Sequence, residues 1–198
     1  RSAASCGACQ GRPGVAAGKR RENTVKRSEI NAAIRLAKKV FARHRFLLPA
    51  WAYWKPGEWK KAGSEAREIR DAMLGWDITD FGGGNFKKVG LVLFTIRNGS
   101  PKRKGNLKTY AEKIMVVQPG QVTPLHFHWA KTEDIINRGG GELVIRLYNS
   151  RPDEELDRKS AVKVSIDGIE RRVKPGGLVR LAPGESITLP RGLYHEFR

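Results

Sequence analysis

Cysteines, long apolar runs and acidic residues are scarce in this sequence, and each scarcity excludes a class of protein. The 198 residues contain two cysteines, Cys6 and Cys9, which are too few for a disulfide framework and form half of a zinc site at best. No apolar run reaches the length of about 18 residues that a membrane span needs, and the N-terminus lacks the apolar stretch of a secretory signal. We therefore expect a cytoplasmic protein with no membrane partner.

The shortage of acidic residues gives the chain a large positive charge. Asp and Glu number 20 against 38 Lys and Arg, for a net charge of +18. Such an excess is typical of nucleic-acid binding. However, a third of it lies in residues 1–27, with seven basic residues and one acidic residue. The rest is spread in short mixed clusters such as Lys38-Lys39, which indicate a solvated surface, so we predict no nucleic-acid partner.

The N-terminal part of the chain falls into two segments. Residues 1–25 are rich in Gly, Ala, Ser, Arg and Lys and contain no aromatic residue, which predicts a disordered or non-native extension. Residues 26–81 form a helical and aromatic segment. Apolar residues at three- and four-residue spacing predict a helix that begins at the cap residue Ser28 and ends before Pro49, and a second helix over 64–74. The aromatic stretch between them is expected to pack on a barrel.

After Asp80 the pattern changes to short β-type runs separated by Gly, Pro and Asn. Many short strands with turn signals are typical of a sandwich or barrel. We therefore predict a mainly β fold, with the barrel over residues 82–198. The predicted strands are 89–96, 110–117, 142–148, 161–166, 177–181 and 186–189.

Two histidines separated by one residue are the first candidate site. In an extended segment, His126 and His128 point to the same face because strand side chains alternate. Glu133 follows across a short bend, and His195 follows a turn between two further strands. Three neutral imidazoles and a carboxylate suit a divalent first-row metal and leave room for two waters or a bidentate substrate. The alternative is that His126 and His128 are ordinary surface histidines.

These residues fit the two cupin motifs. The first motif, G-x5-H-x-H-x4-E-x6-G, matches the segment from Gly120 to Gly140. The second, G-x5-P-x-G-x2-H, matches the segment from Gly184 to His195. The sequence therefore resembles the cupin superfamily. The fold that this resemblance implies is a double-stranded β-helix, or jelly-roll, barrel with N-terminal helices.

A closer resemblance, to bacterial D-lyxose isomerases, extends from about Lys26 to Arg198. It is carried by residues 73–81, 110–115, 122–129 and 133–141. It implies a homodimeric aldose-ketose isomerase that interconverts D-lyxose and D-xylulose, and also D-mannose and D-fructose, through a cis-enediolate. The implied cofactor is Mn²⁺, with Co²⁺, Fe²⁺ or Zn²⁺ as other possible metals, and the implied partner is a small aldose or ketose.

The resemblance also suggests a catalytic residue, Lys113, which would bind a substrate oxygen or assist proton transfer. Alternation with Met115 and Val117 predicts that Lys113 faces inward, whereas Glu112 would be solvated. The alternative is an outward, solvated lysine. The family has a further segment after its third histidine, with a glutamate as catalytic base. We therefore expect the barrel to continue beyond Arg198 and the present chain to isomerise poorly.

Two other functions are compatible with the same ligands. A dioxygenase-type cupin would hold iron and use the open positions for O2 and substrate. A sugar-binding cupin would bind a pentose without converting it.

Overall fold

A computed structural model describes residues 25–99 and 108–198, which form two compact units. One unit extends to Gln121, and the other runs from Val122 to Arg198. The predicted N-terminal extension lies outside the described residues except for Val25. Within the described ranges, no helix is long and apolar enough to cross a membrane.

The first helix, α1, spans Arg27–Arg43 and buries Ala33, Ala37 and Phe41 on one face. It begins one residue before the predicted cap, because the backbone N–H of Lys26 donates to the Glu29 carboxylate at 2.9 Å. It ends at Arg43, before Pro49 as predicted. Arg45 has a φ of 54°, and the N–H of Phe46 donates to the Phe41 carbonyl at 2.8 Å. The left-handed Arg45 and the hydrogen bond between Phe46 and Phe41 close the last turn of the helix.

Two shorter helices follow, α2 at Pro56–Lys61 and α3 at Arg67–Asp71. The predicted helix over 64–74 is therefore only partly correct, since its first turn is a 3₁₀ turn and α3 covers its middle. Met73 has a φ of 52°, which ends the helical path.

An antiparallel sheet of order β1-β2-β3 completes this unit, with strands Gly75–Thr79, Leu91–Arg97 and Glu112–Val116. Its helix-facing side holds Phe94, which is fully buried. The ring of Trp51 stacks on Phe94 at 4.9 Å, and the ring of Trp76 meets it edge-on at 5.1 Å. The predicted aromatic stretch thus packs on this three-stranded sheet. The burial of large aromatic surface supplies much of the unit's hydrophobic stabilisation.

The second unit is built of two antiparallel sheets. The first has the order β10-β6-β12-β4, with β7 paired to β6, and the second has the order β5-β11-β8-β9. Alternate side chains are buried in β6, β8, β10, β11 and β12, as in a sheet with one face in the core. The strands are β4 Thr123–His126, β5 Glu133–Ile136, β6 Leu143–Ser150, β7 Leu156–Asp157, β8 Val162–Ile166, β9 Ile169–Val173, β10 Leu178–Leu181, β11 Ser186–Leu189 and β12 Tyr194–Phe197.

Candidate metal centre

Strand pairing in the second unit brings the distant histidine His195 to the His126–His128 segment. Strand β12 pairs with β4, and His195 lies directly opposite His126. The N–H of Gly192, in the turn before β12, donates to the His128 carbonyl at 2.9 Å. Gly192 has a φ of 76°, a conformation that favours glycine. Gly192, the second glycine of that motif, therefore fixes the turn that leads to His195.

The three imidazoles form one compact cluster. Ring centroids lie 4.2 Å apart for His126 and His195, 5.0 Å for His126 and His128, and 5.4 Å for His128 and His195. One ligand nitrogen from each ring lies within 4.8 Å of the others. His128 and His195 are buried, with 5% and 1% of their surfaces exposed. The alternative of ordinary surface histidines does not fit this arrangement.

Glu133 adds a carboxylate to the cluster from the second sheet of the same unit. It is the first residue of β5 and lies opposite Leu189, the last residue of β11. Its Oε2 lies 3.1 Å from His128 Nε2 and 3.6 Å from His195 Nε2. The strand β11 and the turn after it thus connect the strand of Glu133 to that of His195. The structure places all four predicted ligands together.

Backbone carbonyls fix the protonation of two rings. The Nδ1 of His126 donates to the Pro124 carbonyl at 2.7 Å, and the Nδ1 of His195 donates to the Leu193 carbonyl at 2.9 Å. A carbonyl only accepts hydrogen bonds, so Nδ1 carries the proton and Nε2 keeps its lone pair. Metal-binding histidines are commonly oriented by such a bond from their other ring nitrogen.

The environment of His126 and His195 keeps these two imidazoles neutral, and that of Glu133 keeps its carboxylate ionised. Burial lowers the pKa of His195 to about 3, and the pKa of His126 is also lowered, mainly by burial. Burial alone would raise the pKa of Glu133. The hydrogen bond from His128 and the charge of Lys131 outweigh it, so this pKa lies well below its usual range. Neutral imidazole and ionised carboxylate are the protonation states that metal ligands require.

The residues present fit a divalent first-row metal. His128 Nδ1 and His195 Nε2 are buried and, among the described residues, have no hydrogen-bond partner. Leaving a buried polar atom unpaired costs about 1–3 kcal/mol, which a bound cation at His195 would offset. Imidazole is a borderline nitrogen donor and carboxylate a hard oxygen donor, and the combination suits manganese, iron, cobalt or zinc.

Comparison with known proteins gives the family. A family model described as "D-lyxose isomerase" matches residues 25–198. This chain belongs to the D-lyxose isomerase family. It is 48% identical over 174 residues to the D-lyxose/D-mannose isomerase of Escherichia coli O157:H7, and 45% identical over 174 residues to that of Serratia proteamaculans. Each alignment covers 87% of this chain and 76% of the relative. The chain is thus a sugar isomerase.

Solved structures of L-ribose isomerases share the fold. The Acinetobacter sp. DL28 enzyme in complex with L-ribose has a TM-score of 0.53 at 18% identity, covering 89% of this chain and 76% of that chain. The ligand-free Cellulomonas parahominis enzyme has a TM-score of 0.50 at 19% identity, covering 90% and 78%. At this level of identity the likeness shows the fold alone. The predicted mainly β, cupin-type fold with N-terminal helices is confirmed.

The predicted catalytic lysine of this family member, Lys113, lies on β3 in the first unit. It pairs with Thr95, and Met115 pairs with Leu93. The residues of β3 that alternate with Lys113 and Met115 pack in the core beneath the helices. Lys113 therefore lies on the opposite face of the sheet, where Leu93 and Thr95 are buried. Glu112 is exposed, as predicted. A catalytic role for Lys113 stays a prediction.

Lys131 contacts the candidate centre and was missed by the motif analysis. Its Nζ donates to Glu133 Oε1, whereas Glu133 contacts His128 and His195 through Oε2. The cupin motif leaves the residue two positions before its glutamate unspecified, so the motif gives Lys131 no role. Charge offers the only sequence signal, because a lysine two residues before a ligand glutamate is close enough to pair with it.

Proposed function

We propose that this chain interconverts D-lyxose and D-xylulose, and also D-mannose and D-fructose, with a divalent metal held by His126, His128, Glu133 and His195. The observation that carries the proposal is the convergence of these four side chains in one cluster, in which His128 and His195 are buried and His126 and Glu133 are half-buried. The names of the two relatives, both D-lyxose/D-mannose isomerases, support the choice of substrates.

The reaction moves a hydrogen between C2 and C1 of the sugar, while a proton moves between the oxygens on these carbons. When bound, the metal would supply Lewis-acid polarisation of the carbonyl and stabilise negative charge on the two oxygens. The protein's own residues hold and orient the ligands, and backbone carbonyls fix His126 and His195 in the required tautomer. Lys113 is proposed to stabilise the charge on a substrate oxygen or to transfer its proton.

Mn²⁺ is the proposed metal, and Co²⁺, Fe²⁺ and Zn²⁺ suit the same ligands. This choice rests on the family resemblance and on the mixed nitrogen and oxygen donors. A homodimer and a cytoplasmic location are proposed on the resemblance alone. Light scattering after size-exclusion chromatography measures the mass in solution and tests the dimer.

The proposed activity is tested by incubating the metal-free chain with D-lyxose, with and without added Mn²⁺, under anaerobic conditions. We expect D-xylulose to form only with the metal, and D-mannose to yield D-fructose more slowly. Anaerobic turnover excludes the dioxygenase function, because that chemistry consumes O2. If D-lyxose binds to the Mn²⁺-loaded chain but no ketose forms, the sugar-binding function is supported instead.

A further inference from the structure

The two oxygens of the Glu133 carboxylate have different partners. Oε2 lies beside the ring nitrogens of His128 and His195, whereas Oε1 accepts a hydrogen bond from the ammonium of Lys131. The carboxylate is therefore held between the imidazole cluster and a cation. Only one of its oxygens is directed to the place that a metal would occupy.

The position of Lys131 indicates that it acts on the orientation of Glu133 more than on the stability of the fold. Its side chain is 35% exposed and that of Glu133 is 27% exposed. An ion pair of this exposure contributes about 0–1 kcal/mol to folding. A charge-assisted hydrogen bond nevertheless has a defined direction, and it keeps the bonded oxygen from rotating freely.

The orientation of the carboxylate decides how many metal positions remain for a substrate. A carboxylate binds metals through one oxygen or through both. In an octahedral ion with six positions, three imidazoles and one oxygen leave two positions. If both carboxylate oxygens bind, only one position is left. Chelation of the vicinal oxygens O1 and O2 of an aldose needs two.

We propose that Lys131 is a positioning residue that holds Glu133 Oε1, so that Glu133 binds the metal through Oε2 alone and two adjacent positions stay open for the sugar. This inference rests on the proposed function, because it takes the substrate to be a chelating aldose. It assigns Lys131 a part in the site without contact to the reacting atoms.

The test counts the exchangeable waters on Mn²⁺ bound to the full chain by water proton relaxation. We expect two waters in the wild type and in Lys131→Arg, which keeps a cationic donor. In Lys131→Met and Lys131→Gln we expect one water, because the freed Oε1 turns to the metal. Lys163→Met is the matched control, since Lys163 pairs at 3.3 Å with Glu170, which is not a site residue. This control should show two waters.

A second measurement follows D-lyxose isomerisation by the same Mn²⁺-loaded variants. Lys131→Met and Lys131→Gln should lower kcat/KM by about 10- to 100-fold, a range typical of residues that orient metal ligands. Lys131→Arg and Lys163→Met should stay near the wild type.

The outcomes separate this inference from the proposed function. An unchanged water count in both Lys131→Met and Lys131→Gln would overturn the role of Lys131, even if the wild type isomerises D-lyxose. Loss of Mn²⁺ binding by both variants would overturn it as well, because Lys131 would then be needed for the site to form. A change from two waters to one, with no isomerisation by the wild type, would support the inference and remove the proposed substrate.

Discussion

Removal of two imidazoles is the most direct test of the metal centre. The double substitution His126→Ala and His128→Ala leaves only Glu133 and His195 of the four clustered groups. Since half of the ligands are gone, we expect Mn²⁺ affinity to fall by orders of magnitude. His44→Ala is the matched control, because His44 is the remaining histidine of the chain and lies exposed at the end of α1.

The expected size of the effect follows from the linkage between binding and folding. A ligand present at about 100 times its Kd stabilises the folded state by about 2.7 kcal/mol. For a chain of this length, each kcal/mol raises Tm by about 2–4 °C. Mn²⁺ at that concentration should therefore raise the Tm of the wild type and of His44→Ala by roughly 5–11 °C.

Differential scanning fluorimetry with and without Mn²⁺ measures this shift, and elemental analysis of the dialysed protein measures the bound metal. The double variant should show almost no shift and almost no metal. An equal shift and equal metal content in the double variant would refute the assignment of His126 and His128 as ligands.

Three other predictions concern catalysis, stability and metal removal. Lys113→Ala should lower kcat/KM for D-lyxose by at least about 100-fold, roughly 2.7 kcal/mol, while the metal content stays unchanged. The control Glu112→Ala should have little effect on kcat/KM. Similar activity of the two variants would contradict a catalytic role for Lys113. Asn137→Ala should lower the free energy of unfolding by about 2–4 kcal/mol in urea, because Asn137 is buried and its amide makes three hydrogen bonds to the carbonyls of Gly141 and Leu181 and the N–H of Gly139. The control Asn149→Ala removes one exposed hydrogen bond and should cost less than about 1 kcal/mol, so equal losses would argue against the buried network. Chelation of the metal should abolish isomerisation and added Mn²⁺ should restore it, and activity that survives complete chelation would exclude a metal-dependent reaction.

Helix boundaries show the limits of local pattern. The apolar spacing predicted α1 and an end before Pro49, but it did not predict the residue at which the helix ends, because the left-handed Arg45 ends it and no residue type signals that conformation there. The strands β1, β5, β7 and β9 were not predicted. Strand β9, Ile169–Val173, is mostly exposed and charged, so it lacks the alternation that identifies a half-buried strand.

The sequence alone determined the features that depend on short spacing. The separation of His126 and His128 by one residue predicted two imidazoles on one face, since strand side chains alternate. The four glycines of the two motifs, Gly120, Gly140, Gly184 and Gly192, all have positive φ, a conformation typical of glycine in tight turns. Such features need only the geometry of a few consecutive residues.

Tertiary structure decided which atoms of the site meet. His195 lies opposite His126 only because β12 pairs with β4 in a particular register, and Glu133 reaches the same cluster only because β5 pairs with β11. The motif named these residues but not the tautomers of their rings, which are set by the carbonyls that accept from Nδ1. The sequence also could not predict that one carboxylate oxygen of Glu133 lies beside the histidines while the other accepts a hydrogen bond from Lys131. Strand register and side-chain direction depend on contacts between residues far apart in the chain.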